Sequence, residues 1–433
     1  MTVPVRVRMW GRTIGAVAMV PGSDVAAFQY DRDFARSGVQ VSPLTMPPSE
    51  RVYSFPELPR GAFKGLPGMI ADVLPDKFGH ALIDAWLARQ GRTPESFTPV
   101  DRLCYIGSRG IGALEFEPST GPDVGPSERL DVEALVGLAS EVLSARGAVQ
   151  SSLDQPHRTE SLADILRVGT SAGGARAKAL IAWNPQTHEV RSGQIEHGSG
   201  FEHWLIKFDG VAHNRDKELA DPRGYGAVEF AYHRMATTAG VEMSACRLLE
   251  EGGRRHFLTR RFDRTPQGRL HMQSLAAMAH LDFNAPGAHG YEQALTTLRR
   301  LGLGMDALEQ QVRRMVFNVV ARNQDDHVKN IAFLMDRQGT WSLSPAFDVT
   351  WAYNPQGAWT QQHQMSLNGK RDSFVLDDLR AVARGASLKR GRIDELLDEV
   401  VAAVSRWPEF AHDAQVTPGW IDAIAATHRL VWR

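Results

Sequence analysis

The stretch ARNQDDHVKNIAFLMD, residues 321–336, places two adjacent aspartates, a histidine, a lysine and an asparagine directly before an apolar run. Ahead of it, apolar residues recur at the spacing of one helix face: Leu308, Val312, Met315, Val316, Val319 and Val320. This pattern predicts a helix that ends near Arg322 and a charged loop after it. The runs IAFLM and WSLS then predict two strands joined by the turn DRQG, with Asp348 just beyond the second strand.

The polar residues of this segment are the types that phosphoryl transfer needs. One carboxylate, at Asp325, can orient an attacking hydroxyl and accept its proton, while Asn330 and Asp348 can hold Mg²⁺ against a triphosphate. Protein kinases place the same five-residue separation between their catalytic-loop Asp and its Asn partner. Taken alone, the spacing is weak, because a helix-ending turn at Asp325 and Asp326 explains the charges equally well.

Features earlier in the chain favour a phosphate-binding function over a simple helix-ending turn. The segment VGTSAGGARAKALIAW, residues 168–183, contains three glycines within six residues before a strand-like run. Glycines allow backbone N–H groups to approach phosphate oxygens without a side-chain clash. The segment lacks the Walker A pattern, and a tight surface turn is the alternative interpretation.

Further elements follow in the order expected of a kinase. The strand-like run HWLIKF carries Lys207, which could bind phosphates or decorate a sheet edge, and Glu229 on a predicted helix could orient it. The strand-like run HFLTRRFDRT, residues 256–265, would cross between two lobes, with Phe262 either against an adenine or in the core. Each signal is weak, whereas the ordered series indicates a kinase.

Composition narrows the class of protein. The 433 residues suffice for two or three domains, and the net charge of −1 gives no global case for binding nucleic acid or membrane. Only two cysteines, Cys104 and Cys246, are present, which excludes a disulfide framework and argues against a thiolate zinc site. No apolar run approaches the ~18 residues of a membrane span, so we expect a cytoplasmic protein.

The motifs resemble those of the HipA family of bacterial serine/threonine kinase toxins, over nearly the whole chain. The N-terminal resemblance rests on GRTIGAV, FQYDRDFARSG, SPLTMP, IADVLPD and IGSRGIGAL. The kinase resemblance rests on TSAGGARAKALIAW, WLIKF, RRFDR, DDHVKN and LSPAFDV. The resemblance implies an α+β, two-lobed protein-kinase-like fold. Its parts would be a small N-terminal α/β subdomain (1–120), a kinase N-lobe (130–265) and a mainly helical C-lobe (266–433), with a linker candidate at 118–131.

The resemblance also implies roles for individual residues, with ATP and Mg²⁺ as cofactors. Asp325 would be the catalytic base, and Asn330 and Asp348 the metal ligands. Nucleotide-binding residues would be Gly173, Gly174, Ala175, Arg176, Ala177, Lys178, Lys207, Arg260, Arg261, Phe262, His327, Val328, Lys329, Asn330, Phe347 and Asp348. Asp348 is followed by Val-Thr and not by Phe-Gly, which agrees with the HipA pattern and not with a eukaryotic-type kinase.

Ser171 matches the serine that family members phosphorylate on themselves, with Thr170 as the neighbouring alternative. The modification would expel the glycine loop and switch the enzyme off, because a phosphate of about −2 charge cannot share a pocket with ATP phosphates. One departure from the family lies at HMQSL, residues 271–275, where many members have a Gln-Glu-Asp run. We therefore expect substrate contacts there to differ.

Partners are implied by the same resemblance. They are a HipB-like helix-turn-helix antitoxin, operator DNA reached through that complex, and a protein substrate such as an aminoacyl-tRNA synthetase whose inactivation arrests growth. Lys370 and Arg371 could touch the DNA backbone, although a solvated basic turn is the simpler interpretation. Two alternatives remain: a corepressor in an antitoxin–DNA complex with little kinase activity, and a kinase of a small molecule or lipid.

Overall fold

The computed structural model describes residues 3–122, 130–144, 176–194, 200–211, 215–216, 219–220 and 223–432. They divide into two compact units. Unit 1 comprises Met1–Ser42, Met46–Arg223 and Arg247–Met272; unit 2 comprises Pro43–Thr45, Gly224–Cys246 and Gln273–Arg433. In the described ranges no helix combines the length and apolar character that crossing a bilayer would require.

Unit 1 begins with an antiparallel five-stranded sheet in the order β4-β3-β2-β1-β5. Its strands are β1 (Val5–Met9), β2 (Arg12–Met19), β3 (Ala26–Tyr30), β4 (Val52–Ser54) and β5 (Leu114–Glu117). Along β1, Val5, Val7 and Met9 are buried while Arg6 is exposed, as expected of a sheet with one face on a core. The helices of this segment are α1 (Arg32–Ala35), α2 (Arg60–Phe63), α3 (Gly68–Ala71), α4 (Lys77–Arg89) and α5 (Pro99–Ile106), with a 3₁₀ turn at Pro94–Ser96.

A second five-stranded sheet of unit 1 has the order β11-β12-β8-β6-β7. Helix α6 (Val132–Ser144) precedes the strands β6 (Lys178–Trp183), β7 (Val190–Ser192), β8 (Glu202–Lys207), β9 (Arg215–Asp216), β10 (Leu219–Ala220), β11 (Cys246–Glu251), β12 (Arg254–Arg260), β13 (Arg264–Thr265) and β14 (Gly268–Arg269). Strands β9 and β10 form a separate pair, as do β13 and β14.

One hydrophobic core fixes this second sheet to helices α4 and α6. It combines Phe78 and Leu82 of α4 with Leu135 of α6 and with Ile181 and Ile206 of the strands. The core therefore draws on residues from both sides of the Pro/Gly-rich segment 118–131. As a result, the sheet that carries Lys178 and Lys207 is held against the N-terminal part of the chain.

Unit 2 is mainly helical. It contains α7 (Tyr225–Thr238), α8 (Leu275–Ala279), α9 (Tyr291–Arg300), α10 (Met305–Val320), α11 (Leu376–Gly385), α12 (Arg392–Ser405), α13 (Trp407–Asp413) and α14 (Pro418–Ala425). A three-stranded sheet of order β15-β16-β17 is formed by β15 (His271–Ser274), β16 (Ala332–Met335) and β17 (Trp341–Leu343). The first two residues of β15, His271 and Met272, are assigned to unit 1. The predicted apolar face of α10 lies in the core, where Val312, Val316 and Val319 are 0% exposed. Each such buried side chain contributes roughly 1.5–3 kcal/mol, which fixes the end of α10 in place.

Candidate active site

The charged segment connects helix α10 to a hairpin, so the predicted helix, loop and hairpin are confirmed. Helix α10 ends at Val320, and Arg322 turns the chain with a left-handed φ of +59°. A 3₁₀ turn at Val328–Asn330 then leads directly into strand β16, which pairs with β17. The polar residues are thus held on a short loop between two packed elements.

Asp325 is oriented by neighbours and still reaches solvent. Its Oδ1 accepts a hydrogen bond from Trp359 Nε1 at 2.7 Å, and its backbone oxygen accepts one from Asn330 Nδ2 at 3.0 Å. Its Oδ2 lies 3.9 Å from His327 Nε2, and the side chain is 19% exposed. A carboxylate in this state can both accept a proton and meet a substrate hydroxyl.

Asp326 has the opposite environment, although it is the adjacent residue. Its side chain is 1% exposed, and its Oδ2 accepts hydrogen bonds from Tyr291 Oη at 2.6 Å and from His363 Nδ1 at 2.8 Å. Its Oδ1 accepts one from Gln364 N at 2.8 Å. Burial favours the neutral acid, but His363 and the hydrogen bonds from Tyr291 and Gln364 outweigh it and lower the pKa of Asp326. Asp326 is therefore an ionised, fully embedded anchor of the loop.

Asn330 and Asp348 line the same pocket of unit 2. Because Asn330 Nδ2 donates to the Asp325 backbone oxygen, the orientation of its amide is fixed and Oδ1 remains as its acceptor. Asp348 has a left-handed φ of +52°, which is uncommon for a residue other than glycine and clusters at functional sites.

This pair of oxygen donors fits Mg²⁺. The ion prefers carboxylate and carbonyl oxygens and usually keeps several waters or phosphate oxygens in its coordination sphere. Among the residues that the structure describes, no cluster of three or more His, Cys, Asp or Glu side chains could hold a metal by itself. Mg²⁺ that is bound together with nucleotide phosphates is usually held by one or two carboxylates of the protein.

The remaining predicted residues of unit 2 lie on this loop or line the pocket next to it. Lys329 Nζ lies 4.9 Å from the centre of the Phe283 ring, and the His327 ring centre is 6.2 Å from that of Phe283. Val328 is 1% exposed and belongs to the core, so only its backbone is available to a ligand. Phe347 lines the pocket beside Asp348.

In unit 1, Lys178 and Lys207 face each other as direct partners in the β6–β8 register. Both are buried, at 2% and 9% exposure. Lys178 Nζ lies 3.6 Å from Asp76 Oδ2, and Lys207 Nζ lies 5.6 Å from the centre of the Phe257 ring. Register partners on neighbouring strands lie side by side on one face of the sheet, so both lysine side chains occupy the same face. Arg176 and Ala177, also predicted, are buried just before β6.

The predicted adenine-side residues are held in different ways. Arg260 is exposed, with Nη2 3.8 Å from Glu202 Oε1, and Phe262 is half-buried. Arg261 is buried and donates to Asp263 through Nε at 2.9 Å and Nη2 at 2.7 Å. Burial opposes ionisation of Asp263, but its arginine neighbours and the Gly112 N–H lower its pKa. Asp263 thus binds two nitrogens of the Arg261 guanidinium, while the third, Nη1, is buried and has no hydrogen-bond partner among the described residues.

Other predicted residues lie outside the described ranges or are engaged elsewhere. Thr170, Ser171, Gly173, Gly174 and Ala175 fall within 145–175, which the structure does not describe. Glu229 is buried on α7 in unit 2. The two basic residues proposed for DNA contact have partners inside unit 2, since Lys370 Nζ donates to Asp378 at 2.8 Å and Arg371 Nε donates to the His363 backbone at 2.7 Å.

Sequence reasoning missed Trp359, Tyr291 and His363. They lie 34, 35 and 37 residues from the aspartates that they contact. No local periodicity or motif marks them, because their contribution depends on loops that meet only in the folded chain. A tryptophan and a histidine in the loop-like run NPQGAWTQQHQ were the only available hint.

Comparison with known proteins assigns the family. Residues 5–117 match the model of the HipA N-terminal domain, and residues 170–407 match that of the HipA-like C-terminal domain. The fold resembles that of HipA in a solved complex of a Shewanella oneidensis toxin–antitoxin system. The TM-score is 0.67 at 16% identity, covering 98% of this chain and 94% of that one.

Two curated proteins of Sinorhizobium fredii are similar over shorter stretches. "Putative kinase Y4dM" is 28% identical over 148 residues, which is 33% of this chain and 35% of that protein. "Putative kinase Y4mE" is 25% identical over 218 residues, 46% of this chain and 51% of that protein. The chain therefore spans between a third and a half of the length of these relatives. Since its two family matches together cover most of its length, the chain belongs to the HipA family and has the HipA-type fold.

Proposed function

We propose that this protein is an ATP- and Mg²⁺-dependent serine/threonine protein kinase whose catalytic base is Asp325. The observation that carries the proposal is the contrast between two adjacent carboxylates. Asp325 is 19% exposed and oriented by Trp359, whereas Asp326 is 1% exposed and accepts hydrogen bonds on both oxygens. Only the first can meet an incoming hydroxyl without dismantling the loop.

In the proposed reaction, the substrate hydroxyl oxygen bonds to the γ-phosphorus while the bond from that phosphorus to the β–γ bridging oxygen breaks. Asp325 accepts the hydroxyl proton, and ADP leaves with the bridging oxygen. Asn330 and Asp348 would hold Mg²⁺, which neutralises charge on the phosphates when bound. Lys178 and Lys207 would pair with phosphate oxygens, and His327, Lys329 and Phe347 would line the nucleotide.

We further propose that the kinase acts as the toxin of a toxin–antitoxin pair. Support comes from the Shewanella oneidensis HipA, which has the same fold and was solved together with HipB and operator DNA. A HipB-like helix-turn-helix antitoxin and operator DNA are therefore the proposed partners. A translation component such as an aminoacyl-tRNA synthetase is the proposed substrate, and Ser171 the proposed site of silencing self-phosphorylation; both follow from the family resemblance.

The proposal is tested by the intact mass of the full chain after incubation with Mg·ATP, followed by peptide mapping. We expect a gain of one phosphate at Ser171 that is absent in Asp325→Asn and present in Asp398→Asn, since Asp398 is exposed on α12. A phosphate at Thr170 instead would correct the modified residue and leave the kinase intact.

A corepressor with little kinase activity is the second candidate, favoured by the operator DNA in the related complex. It predicts no mass gain and no ATP binding in calorimetry, together with antitoxin-dependent binding of operator DNA. That combination of results would replace the kinase proposal.

A further inference from the structure

The segment 427–429 follows α14 and returns to the end of helix α10. The backbone N of Arg429 donates to Val320 O at 2.9 Å, and its Nη1 donates to Val319 O at 2.9 Å. The last carbonyls of a helix have no partner within the helix, so these bonds cap α10 from outside. The segment lies beyond residue 407, where the family match ends.

Its neighbours tie the segment to the same region. Thr427 O accepts from Arg322 Nε at 2.8 Å, and Thr427 Oγ1 accepts from Trp351 Nε1 at 3.1 Å. His428 Nε2 lies 3.0 Å from Tyr232 Oη. Burial, followed by the charge of Arg322, lowers the pKa of His428 to about 4, so its ring is neutral at physiological pH. The segment is thus a fixed part of unit 2.

Arg429 also reaches the buried aspartate through one histidine. Its Nη1 lies 2.9 Å from His363 Nε2, and arginine can only donate, so Nε2 must accept. The ring proton is then on Nδ1, which donates to Asp326 Oδ2 at 2.8 Å. His363 is 0% exposed, so no solvent competes for either nitrogen. The three side chains form one directed chain of hydrogen bonds, from Arg429 through His363 to Asp326.

Two further contacts hold the ends of this chain. Arg429 Nη2 donates to Asp372 Oδ1, which fixes the guanidinium on its outer side. At the inner end, Asn318 Nδ2 donates to Tyr291 Oη at 3.0 Å, and that hydroxyl donates to Asp326. Burial and the neighbouring carboxylate raise the pKa of Tyr291 well above its ordinary value, so it stays a donor. The carboxylate of Asp326 is therefore held from two sides, and Asp325 precedes this residue directly.

We infer that Arg429 is a positioning residue for the catalytic loop, acting through His363 and Asp326 on the placement of Asp325. The kinetic consequence rests on the proposed kinase function; the structural consequence does not. A shift of about 1 Å in a catalytic group can cost on the order of 10²-fold in rate, so loss of this chain should lower turnover with little effect on nucleotide binding.

The test compares Arg429→Met with Arg406→Met in the full chain. Arg406 is a matched control because it also pairs with a carboxylate, Glu409, but is 51% exposed and far from the loop in the hydrogen-bond network. Hydrogen exchange measured by mass spectrometry should accelerate in peptides covering 322–330 and 359–366 for Arg429→Met only. The kcat for phosphoryl transfer should fall at least ~10-fold while the KM for ATP changes less than ~2-fold.

Two additional variants separate positioning from general destabilisation. His363→Asn keeps a donor near the Nδ1 position for Asp326 but removes the acceptor for Arg429. It therefore breaks the series of hydrogen bonds from Arg429 to Asp326, while Arg429 still caps α10. It should reproduce the kcat effect. Arg429→Ala should regain part of its kcat when millimolar guanidinium is added, since that cation can occupy the vacated position.

The outcomes are distinguishable. Exchange that accelerates only within 426–432, or evenly throughout unit 2, would overturn the inference, as would a His363→Asn variant with unchanged loop exchange. If the wild-type protein transfers no phosphate, the proposed function fails, but the exchange pattern still decides whether Arg429 positions the loop.

Discussion

The proposed catalytic loop of unit 2, residues 322–330, and the lysine-bearing strands β6 and β8 of unit 1 differ in how their charged side chains are surrounded. In the loop, Asp326 is ionised because Tyr291, His363 and the Gln364 N–H surround it. In the strands, Lys178 and Lys207 are register partners with buried side chains, and a carboxylate lies 3.6 Å from Lys178 Nζ.

The loop is therefore preorganised, whereas the role of the two lysines depends on a bound ligand. A satisfied polar network is rigid before any substrate arrives, so its residues should control turnover and stability. The two lysines, by contrast, are register partners on one face of a sheet and are proposed to bind the nucleotide phosphates. Substitutions there should change nucleotide affinity most, and the predictions below are ordered by the size of the expected effect.

The largest effect is expected for Asp325→Asn. A positioned general base contributes roughly 10²–10⁴-fold, so kcat should fall about 10³-fold. The asparagine oxygen can still accept from Trp359, so the free energy of unfolding should change by less than about 1 kcal/mol. Transfer of radiolabelled phosphate and urea denaturation measure the two quantities, with Asp398→Asn as the control. A variant with wild-type turnover would remove Asp325 from its proposed role.

Asp326→Ala should act mainly on stability. It leaves the donors of Tyr291, His363 and Gln364 buried without an acceptor, which should cost roughly 3–5 kcal/mol. Urea denaturation of Asp326→Ala and of the exposed control Asp398→Ala gives the comparison. If Asp326→Ala is instead as stable as the control and loses more activity than Asp325→Asn, Asp326 and not Asp325 is the catalytic base.

Acid should weaken unit 1 through buried histidines. Burial first, then nearby Arg254, lowers the pKa of His256 from 6.5 to about 4; burial does the same for His271. Below pH 6.5 these histidines bind protons in the unfolded chain but not in the folded chain. Their contribution to the free energy of unfolding is therefore fully present above pH 6.5 and is lost as the pH falls towards 4. Each histidine accounts for at most about 3 kcal/mol.

The measurement is Tm between pH 7.5 and 4.5 for the wild type, His271→Gln and His412→Gln. His412 is exposed and serves as the control. We expect a shallower fall in Tm for His271→Gln and an unchanged one for His412→Gln. Equal slopes in all three proteins would contradict the assignment of a neutral buried His271.

The smallest effect is expected for Lys207→Met. Nucleotide affinity should fall by roughly 10- to 100-fold, since a hydrogen bond to a charged group contributes about 1.5–3 kcal/mol. Calorimetry with Mg·ATP measures this affinity, with the exposed Lys389→Met as the control. A variant that binds ATP normally would contradict a phosphate role for Lys207.

Much of the local structure around the site could be predicted from the chain. The apolar repeat from Leu308 to Val320 fixes a helix because one face must be buried, and the runs IAFLM and WSLS fix the hairpin for the same reason. The order of Asp325, Asn330 and Asp348, with Lys207 on an earlier strand, indicated a kinase, and the motifs indicated the HipA family. These signals depend on local patterns or on the order of motifs along the chain, so the sequence alone is enough to detect them.

The choice between Asp325 and Asp326 could not be made from the sequence. Adjacent aspartates have the same chemistry, and only the folded chain brings His363 and Tyr291 to one and Trp359 to the other. The same limit applied to Arg429, which no motif marked and which contacts His363 only in the folded chain.

The sequence by itself determined the family, the helix–loop–hairpin and the residue types of the site, because hydrophobic periodicity and motif order are properties of the linear chain. Tertiary structure alone decided which carboxylate is buried and ionised, which reaches solvent, and that Lys178 and Lys207 lie opposite each other. The physical reason is that these contacts join residues 29 to 38 positions apart, which meet only when the core has formed.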